Sequence, residues 1–199
     1  MNTEHKDKML ELQKEQRNKV SQATGDRGII VVNTGDGKGK STAAFGTAFR
    51  AVGQGMRVAI IQFIKGKWKT GEMDTFKKFE QITHMVSGEG FTWDSQDNKK
   101  DVAAAVRGWE FAKEVIEGKT GADYQLLVLD EFNLVLDYNY IDMDEVITTL
   151  NNKPDSLNII ITGRNAPQQL IDIADTVTNM TPVKHAFENG IKAQRGIEF

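Results

Sequence analysis

The sequence predicts an α/β fold with a doubly wound, mainly parallel sheet of about six strands. Short apolar runs recur along the 199 residues, and several of them lack polar alternation, as expected of strands covered on both faces of a parallel sheet. Helix-length stretches separate these runs, which is typical of βαβ units. A glycine-rich loop joins the first apolar run to the first helical stretch.

The individual elements follow in order from these patterns. Strands are predicted at residues 28–32, 57–63, 82–86, 125–129 and 157–161, with a weaker sixth strand at 176–180. Helices are predicted at residues 40–52, 98–117, 143–150 and 167–174. Residues 25–199 contain no internal repeat, low-complexity linker or second boundary, so they are expected to form a single domain.

Residues 1–24 are expected to form an N-terminal helical arm. This segment is densely charged, and its apolar side chains form only a thin stripe of Met9, Leu10, Leu12 and Val20. Such a stripe is too thin to anchor a helix in the core. The arm is therefore either solvated and frayed, or it folds over a ligand or a partner subunit.

The composition excludes several classes of function. A net charge of -3 argues against a nucleic-acid partner, since general nucleic-acid binders are usually basic on one face. The absence of cysteine excludes disulfides, thiolate metal sites and cysteine nucleophiles. The chain has no apolar signal region and no run of membrane-spanning length, so we expect no membrane contact and a cytoplasmic location.

The glycine-rich loop is the strongest indication of chemistry. It lies between a buried strand and a helix, where backbone N–H groups and the helix N-terminus can bind a phosphate. Gly39-Lys40-Ser41 matches the end of the P-loop pattern G-x-x-x-x-G-K-[ST], in which the lysine contacts the phosphates and the hydroxyl ligates Mg²⁺. Thr34 stands where the first glycine is expected. A glycine-rich turn with solvated lysines is the alternative, but the setting favours a polyphosphate site in a P-loop NTPase-like, RecA-like fold.

Two further stretches follow predicted strands. YQLLVLDE ends in Asp130 and Glu131, and carboxylates at the end of a buried strand can hold Mg²⁺ or its waters, although Asp130 could instead cap the next turn. Arg164 in TGRNAP follows another apolar run, so it could contact phosphate or substrate in the crevice at the strand ends. Asn165 capping a helix with Pro167 in its first turn would explain the other residues structurally.

The stretch GEGFTWDSQD contains two large aromatic residues, Phe91 and Trp93. They are two positions apart, so in an extended chain they face the same way. Between glycines and acidic residues, they either cover an apolar ligand or pack as a satellite of the core. By contrast, His5, His84 and His185 show no metal-ligand spacing.

These stretches together resemble the P-loop type of ATP:corrinoid adenosyltransferase. The resemblance covers nearly the whole chain, through TGDGKGKSTAAFGTAFRAVGQG, QFIKG, GEGFTWDSQD, VLDE, ITGRNAP and HAFENGIKAQRGIEF. It implies that Co(I) of a reduced corrinoid attacks C5′ of ATP, so that the adenosyl group moves to cobalt and inorganic triphosphate leaves. The implied role is adenosylcobalamin biosynthesis or corrinoid salvage, with cobalamin, cobinamide and cobyrinic acid a,c-diamide all open as the corrinoid.

The resemblance also assigns the nucleotide site. Lys40 is expected to be catalytic because it stabilises charge on the leaving triphosphate. Ser41 and Glu131 are the expected ligands of Mg²⁺ (or Mn²⁺), and Asp130 is expected to lie behind them. The residues expected to bind the nucleotide are Thr34, Gly35, Asp36, Gly37, Lys38, Gly39, Lys40, Ser41, Thr42 and Arg164.

Further expectations concern the corrinoid and the partners. The resemblance implies that Phe91 and Trp93 are catalytic, because they displace the lower axial ligand and leave a four-coordinate Co(II) that is easier to reduce. It implies that the arm is a lid over nucleotide and corrinoid. It also implies a homodimer and a reduced flavoprotein electron donor such as flavodoxin.

Other classes of protein share parts of this pattern. A small-molecule kinase or NTPase would have the same phosphate loop and acidic residues, but it should also show an arginine-rich lid, and none is evident. A nucleic-acid-dependent ATPase of the RecA type would share the sheet, and the acidic charge balance argues against it. A nucleotide-binding regulator without catalysis would share the same motifs.

Overall fold

A computed structural model describes residues 3–64, 70–88 and 98–199, and it shows a six-stranded sheet in the order β3-β2-β4-β5-β1-β6. All five strand pairs are parallel, so the predicted fold class is confirmed. Each predicted strand is present to within two residues at either end. The strands are β1 Ile30–Thr34, β2 Val58–Phe63, β3 Ile82–Ser87, β4 Leu126–Asp130, β5 Asn158–Thr162 and β6 Thr176–Asn179.

The predicted helices are present as well, together with short ones that the sequence did not predict. The helices are α1 Thr3–Gln22, α2 Lys40–Gly53, α3 Gly71–Phe76, α4 Asn98–Ile116, α5 Phe132–Asp137, α6 Met143–Asn151, α7 Gln168–Ile173 and a 3₁₀ helix at Ala186–Asn189. The prediction that Asn165 caps a helix with Pro167 in its first turn is wrong. Pro167 is itself the N-cap of α7, and Asn165 lies before it in a left-handed conformation.

Helices cover the sheet on both faces because alternate residues of each central strand are buried on opposite sides. On one face, Ile60, Val128 and Ile160 pack with residues of α2. On the other face, the core includes Trp109 of α4 and Phe132 of α5. Because all strands run the same way, their carboxyl ends lie at one edge of the sheet, where the loops after β1, β4 and β5 meet.

The N-terminal helix α1 is present as predicted, but the core does not bury it. Its side chains from residue 5 to residue 22 are all exposed, including Met9 at 52% and Val20 at 71%. The division into an arm of residues 1–24 and a domain of residues 25–199 stays a prediction. Within the described ranges, no helix combines the length and the apolar character that crossing a membrane requires.

Candidate active site

The loop between β1 and α2 needs its glycines for two separate physical reasons. Gly35 and Gly39 adopt φ values of 93° and 109°, which side chains with a Cβ rarely adopt. Gly37 instead lies against the end of β6: its N–H donates to Met180 O at 2.6 Å, and a Cβ there would be 2.7 Å from the same oxygen. The turn and the close contact with β6 together fix the loop.

Thr34 is compatible with this loop because its position makes no demand for glycine. It is the last residue of β1, and its hydroxyl accepts a hydrogen bond from the N–H of Ala166 at 3.1 Å. The left-handed conformation begins one residue later, at Gly35. The departure of this sequence from the P-loop pattern therefore has a local explanation.

The side chain of Lys40 folds back into the loop. Its Nζ donates to Gly35 O at 2.6 Å and to Gly37 O at 2.8 Å, and the residue is 8% exposed. The ammonium group thus lies among backbone groups of the loop itself. Ser41 and Thr42 follow in the first turn of α2, and they are half-buried and exposed, respectively.

Charged side chains form the outer rim of the loop. Lys38 forms an ion pair with Glu198 of the C-terminal segment. Arg164 Nε lies 3.6 Å from Asp36 Oδ1, and both of these side chains are mostly exposed. The structure therefore brings Arg164 to the loop, although 128 positions separate it from Asp36 in the chain.

Asp130 is fully buried and bonded to side chains of the two neighbouring strands. Its Oδ1 accepts from the Thr162 hydroxyl at 2.7 Å, and its Oδ2 accepts from Gln62 Nε2 at 3.1 Å. Bonds of this kind to both oxygens fix the rotation of a carboxylate. Thr162 and Gln62 were not among the predicted site residues; the available signal was a polar residue at the carboxyl end of an apolar run.

The hydrogen bonds continue from Gln62 to His84. The two side-chain atoms, His84 Nε2 and Gln62 Oε1, are 2.8 Å apart. Because the Gln62 amide nitrogen donates to Asp130, its oxygen accepts, and His84 carries a proton on Nε2. The pKa of His84 is lowered by burial of the ring and by the nearby positive charge of Lys77, so the neutral ring is favoured.

Glu131 follows Asp130 at a sharp change of backbone direction. Its φ of 61° is left-handed, and its N–H donates to Thr162 Oγ1 at 3.0 Å. The helix α5 begins at the next residue, so the turn separates the buried strand from the helix within one residue. Glu131 is half-buried, whereas Asp130 is fully buried.

The oxygen donors of this edge suit a hard divalent cation. Mg²⁺ commonly binds one or two carboxylates and takes its remaining ligands from water and substrate phosphates. The hydroxyl of Ser41 and the carboxylates of Asp130 and Glu131 are oxygen donors of this chemical type. Within the described ranges, no group of three or more His, Cys, Asp and Glu side chains could hold a metal by itself.

A cleft of about 330 Å³ adjoins the glycine-rich loop between β1 and α2, on the side of β6. This loop is called the phosphate loop below. Three predicted residues line the cleft, and the others come from the segment after β5, from the last residue of β6 and from the segment after β6. The lining residues are Thr34, Gly35, Asp36, Asn165, Ala166, Asn179, Thr181 and Pro182. The last five were missed because the sequence does not reveal that β5 and β6 flank β1.

Phe91 and Trp93 lie outside the described residues. Their predicted role stays a prediction.

The chain is similar to one family of known proteins over most of its length. A family model described as ATP:corrinoid adenosyltransferase BtuR/CobO/CobP matches residues 26–199. A corrinoid adenosyltransferase of Pseudomonas aeruginosa is 45% identical over 182 residues, covering 91% of this chain and 88% of that protein. One of Sinorhizobium sp. is 48% identical over 179 residues, covering 88% of this chain and 82% of that protein. One of Escherichia coli K12 is 44% identical over 181 residues, covering 91% and 90%.

The family match spans the phosphate loop, the acidic residues at the end of β4 and Arg164 in one continuous stretch. The relatives are similar over most of their own length, so the likeness extends to the whole domain rather than to a shared motif. This chain belongs to the ATP:corrinoid adenosyltransferase family of enzymes.

Proposed function

We propose that the protein transfers the 5′-deoxyadenosyl group of ATP to Co(I) of a reduced corrinoid and releases inorganic triphosphate. The observation that carries this proposal is the buried ammonium group of Lys40 inside the loop, 2.6 and 2.8 Å from two loop carbonyls. That cation, the loop and the acidic residues Asp130 and Glu131 at the end of β4 lie at one edge of the sheet. The family relationship supplies the corrinoid as the second substrate.

The reaction requires charge stabilisation on the leaving group. An electron pair of Co(I) forms the Co–C5′ bond, the C5′–O bond breaks, and its electrons leave with the triphosphate oxygen. Lys40 would exchange its bonds to the neutral carbonyls of Gly35 and Gly37 for ion-pair bonds to negatively charged phosphate oxygens. Loop N–H groups of residues 34–42, with Lys38 and Arg164 at the rim, would bind the rest of the triphosphate.

Mg²⁺ (or Mn²⁺), when bound, would neutralise part of the triphosphate charge. Ser41 and Glu131 would hold it directly, because both lie at the edge where α2 begins and β4 ends. Asp130 is enclosed and already bonded to Thr162 and Gln62, which suits a role behind these ligands. The oxygen chemistry of all three side chains is compatible with this cation.

The corrinoid side of the reaction is proposed from the family resemblance. Phe91 and Trp93 would exclude the lower axial ligand and water from cobalt, which eases reduction of Co(II). The exposed arm α1 would close over nucleotide and corrinoid. We further propose that the protein is a homodimer and receives electrons from a reduced flavoprotein such as flavodoxin. Its role would be cytoplasmic, in adenosylcobalamin biosynthesis or corrinoid salvage.

One anaerobic assay tests the activity. The purified protein is incubated with ATP, Mg²⁺ and chemically reduced cobalamin, and the corrinoid spectrum and the released phosphates are followed together. We expect an adenosylated corrinoid and triphosphate in equal amounts. Release of orthophosphate without a corrinoid product would indicate an NTPase and contradict the proposal.

A further inference from the structure

The hydroxyl of Thr162 contacts both acidic residues of the proposed metal site. It donates to Asp130 Oδ1 at 2.7 Å and accepts from the N–H of Glu131 at 3.0 Å, and Thr162 itself is fully buried. A threonine hydroxyl has one proton and two acceptor lone pairs, so its proton is committed to the carboxylate and one lone pair to the amide. The positions of the two acidic residues are thereby coupled through a single oxygen atom.

Thr162 also connects these residues to the strand that carries the phosphate loop. In the β1–β5 ladder, Thr162 lies opposite Asn33, and the next N–H, that of Gly163, donates to Asn33 O at 3.2 Å. Asn33 is followed directly by Thr34, where the loop begins. A shift of Thr162 would therefore change the spacing between the phosphate loop and the acidic residues.

The backbone of Glu131 adopts a left-handed conformation, which contacts with the surrounding residues must maintain. A left-handed φ is sparsely populated for a residue with a Cβ and persists where neighbouring contacts enforce it. On the helix side, Phe132 is fully buried and its ring lies 4.9 Å from that of Phe63 and 5.2 Å from that of Trp109. On the strand side, the Thr162 hydroxyl accepts the Glu131 N–H.

We infer that Thr162 is a positioning residue for the divalent metal: its hydroxyl sets the rotation of the Asp130 carboxylate and the backbone turn at Glu131. This inference rests on the proposed function, because it concerns the metal that accompanies ATP. Groups that orient metal ligands commonly change metal affinity by about 10–100-fold when they are removed. The same size of effect is expected here.

The test measures Mn²⁺ affinity by electron paramagnetic resonance, with ATP present and no corrinoid. Thr162→Val keeps the shape of the side chain and removes the hydroxyl, so it should weaken Mn²⁺ binding by about 10–100-fold. Thr162→Ser keeps the hydroxyl and should bind Mn²⁺ as the wild type does. Thr178→Val is the matched control, because Thr178 is an exposed residue of β6, and it should leave Mn²⁺ affinity unchanged.

Thr162→Ala is measured beside Thr162→Val, because it removes the hydroxyl without placing a methyl group against the carboxylate. Wild-type Mn²⁺ affinity in either folded variant overturns the inference. Equal losses in Thr162→Ser and Thr162→Val also overturn it, since packing and not the hydroxyl would then be responsible. Adenosyl transfer by the wild type is assayed in the same series, so a failure of the proposed function is seen separately.

Discussion

The ammonium group of Lys40 is held by carbonyl oxygens in a loop that, on our proposal, binds an anion. Two neutral carbonyls are weaker partners for a cation than phosphate oxygens, because the phosphate oxygens carry negative charge that adds direct Coulomb attraction. Binding of a triphosphate therefore replaces existing contacts with better ones. The loop backbone does not depend on the Lys40 side chain, because the turns at its glycines and the hydrogen bond from Gly37 to Met180 hold it in place.

Lys40→Ala should accordingly abolish adenosyl transfer while the protein stays folded. Loss of a preorganised group that stabilises developing charge typically costs about 10²–10³-fold in turnover. The measurement is kcat from Co(I) and ATP, alongside the thermal unfolding midpoint. Lys119→Ala is the matched control, because Lys119 is exposed in a turn and pairs with Glu117. Near-normal turnover of a folded Lys40→Ala protein would rule out the phosphate-loop assignment.

Trp93→Ala tests the aromatic residues separately from the nucleotide site. ATP affinity should stay almost unchanged, while activity should fall strongly when the assay begins from Co(II) with a flavoprotein reductant. Much of that loss should disappear when Co(I) is supplied, because the difficult reduction has been bypassed. A role in core packing predicts instead an equal loss in both assays and a lower unfolding midpoint, since truncating a buried Trp costs about 3–5 kcal/mol.

Electron paramagnetic resonance of the Co(II) enzyme with ATP gives a second measurement on the same variant. The wild type should show a four-coordinate Co(II) signal, and Trp93→Ala should lose most of it. A full signal in the variant would show that Trp93 does not displace the axial ligand.

At the scale of elements, the phosphate loop depends on β6 as much as on its own strand and helix. Gly37 donates to Met180 O, and Met180 N–H donates back to Thr34 O at 2.8 Å, so β6 and the segment after it hold both ends of the turn. β6 itself is an exposed edge strand. The position of the loop therefore rests on an edge strand that the core covers little.

Gly37→Ala should disturb ATP binding because its Cβ would lie 2.7 Å from Met180 O and 2.8 Å from backbone carbon of Thr181. We expect a rise of about tenfold or more in KM for ATP, equivalent to about 1.4 kcal/mol, measured at saturating corrinoid. Gly46→Ala is the control, because a Cβ at Gly46 in α2 meets nothing within 4 Å. It should raise helix stability by about 0.5–1 kcal/mol without changing KM for ATP. The same KM in both variants would show that the close contact of Gly37 with Met180 is not needed for ATP binding.

The arm is a second element whose contribution can be isolated. Every described side chain of α1 from residue 5 to residue 22 is exposed, so removing residues 1–22 should leave the unfolding midpoint of the sheet domain nearly unchanged. If the arm is a lid, KM for ATP or for the corrinoid should rise. Unchanged kinetics in the shortened protein would indicate a solvated arm without a role in binding.

At the scale of the whole molecule, Arg27 and Asp175 connect the segment before β1 to the start of β6. Arg27 binds the Asp175 carboxylate through its two terminal guanidinium nitrogens, and Asp175 Oδ2 also accepts the N–H of Ile30 at 2.9 Å. These hydrogen bonds, first that from Arg27 and then that from Ile30, lower the pKa of Asp175. A carboxylate with a lowered pKa stabilises the fold above its ordinary pKa, and this contribution is lost as the pH falls through the lowered value.

Asp175→Asn should therefore lower the unfolding midpoint at pH 7, and its difference from the wild type should shrink as the pH falls below about 4. Thermal unfolding at a series of pH values measures this difference. Asp172→Asn is the control, because it removes an exposed carboxylate of α7 that accepts from Gln168. A difference for Asp175→Asn that is constant with pH would contradict the assignment.

The sequence predicted the strands well because central strands covered on both faces leave unbroken apolar runs. It missed α3 and α5 but predicted α7, which also has six residues; so short a segment shows no complete helical period, and periodicity alone does not identify it. It located Asp130 but not its hydrogen-bond partners Thr162 and Gln62. These lie on the strands next to β4, and the sequence does not reveal which strands are neighbours in the sheet. Strand order depends on how the whole sheet packs, and no local pattern encodes it.

The order of strands also determines when the phosphate loop can form during synthesis. β1 lies between β5 and β6, so its sequence leaves the ribosome long before either neighbour has been made. Domains whose contacts are distant in sequence fold late, after those contacts become available. A nascent chain that ends before Met180 has every loop residue but not the backbone that fixes Gly37. Nucleotide binding should thus appear among the last properties of the growing chain.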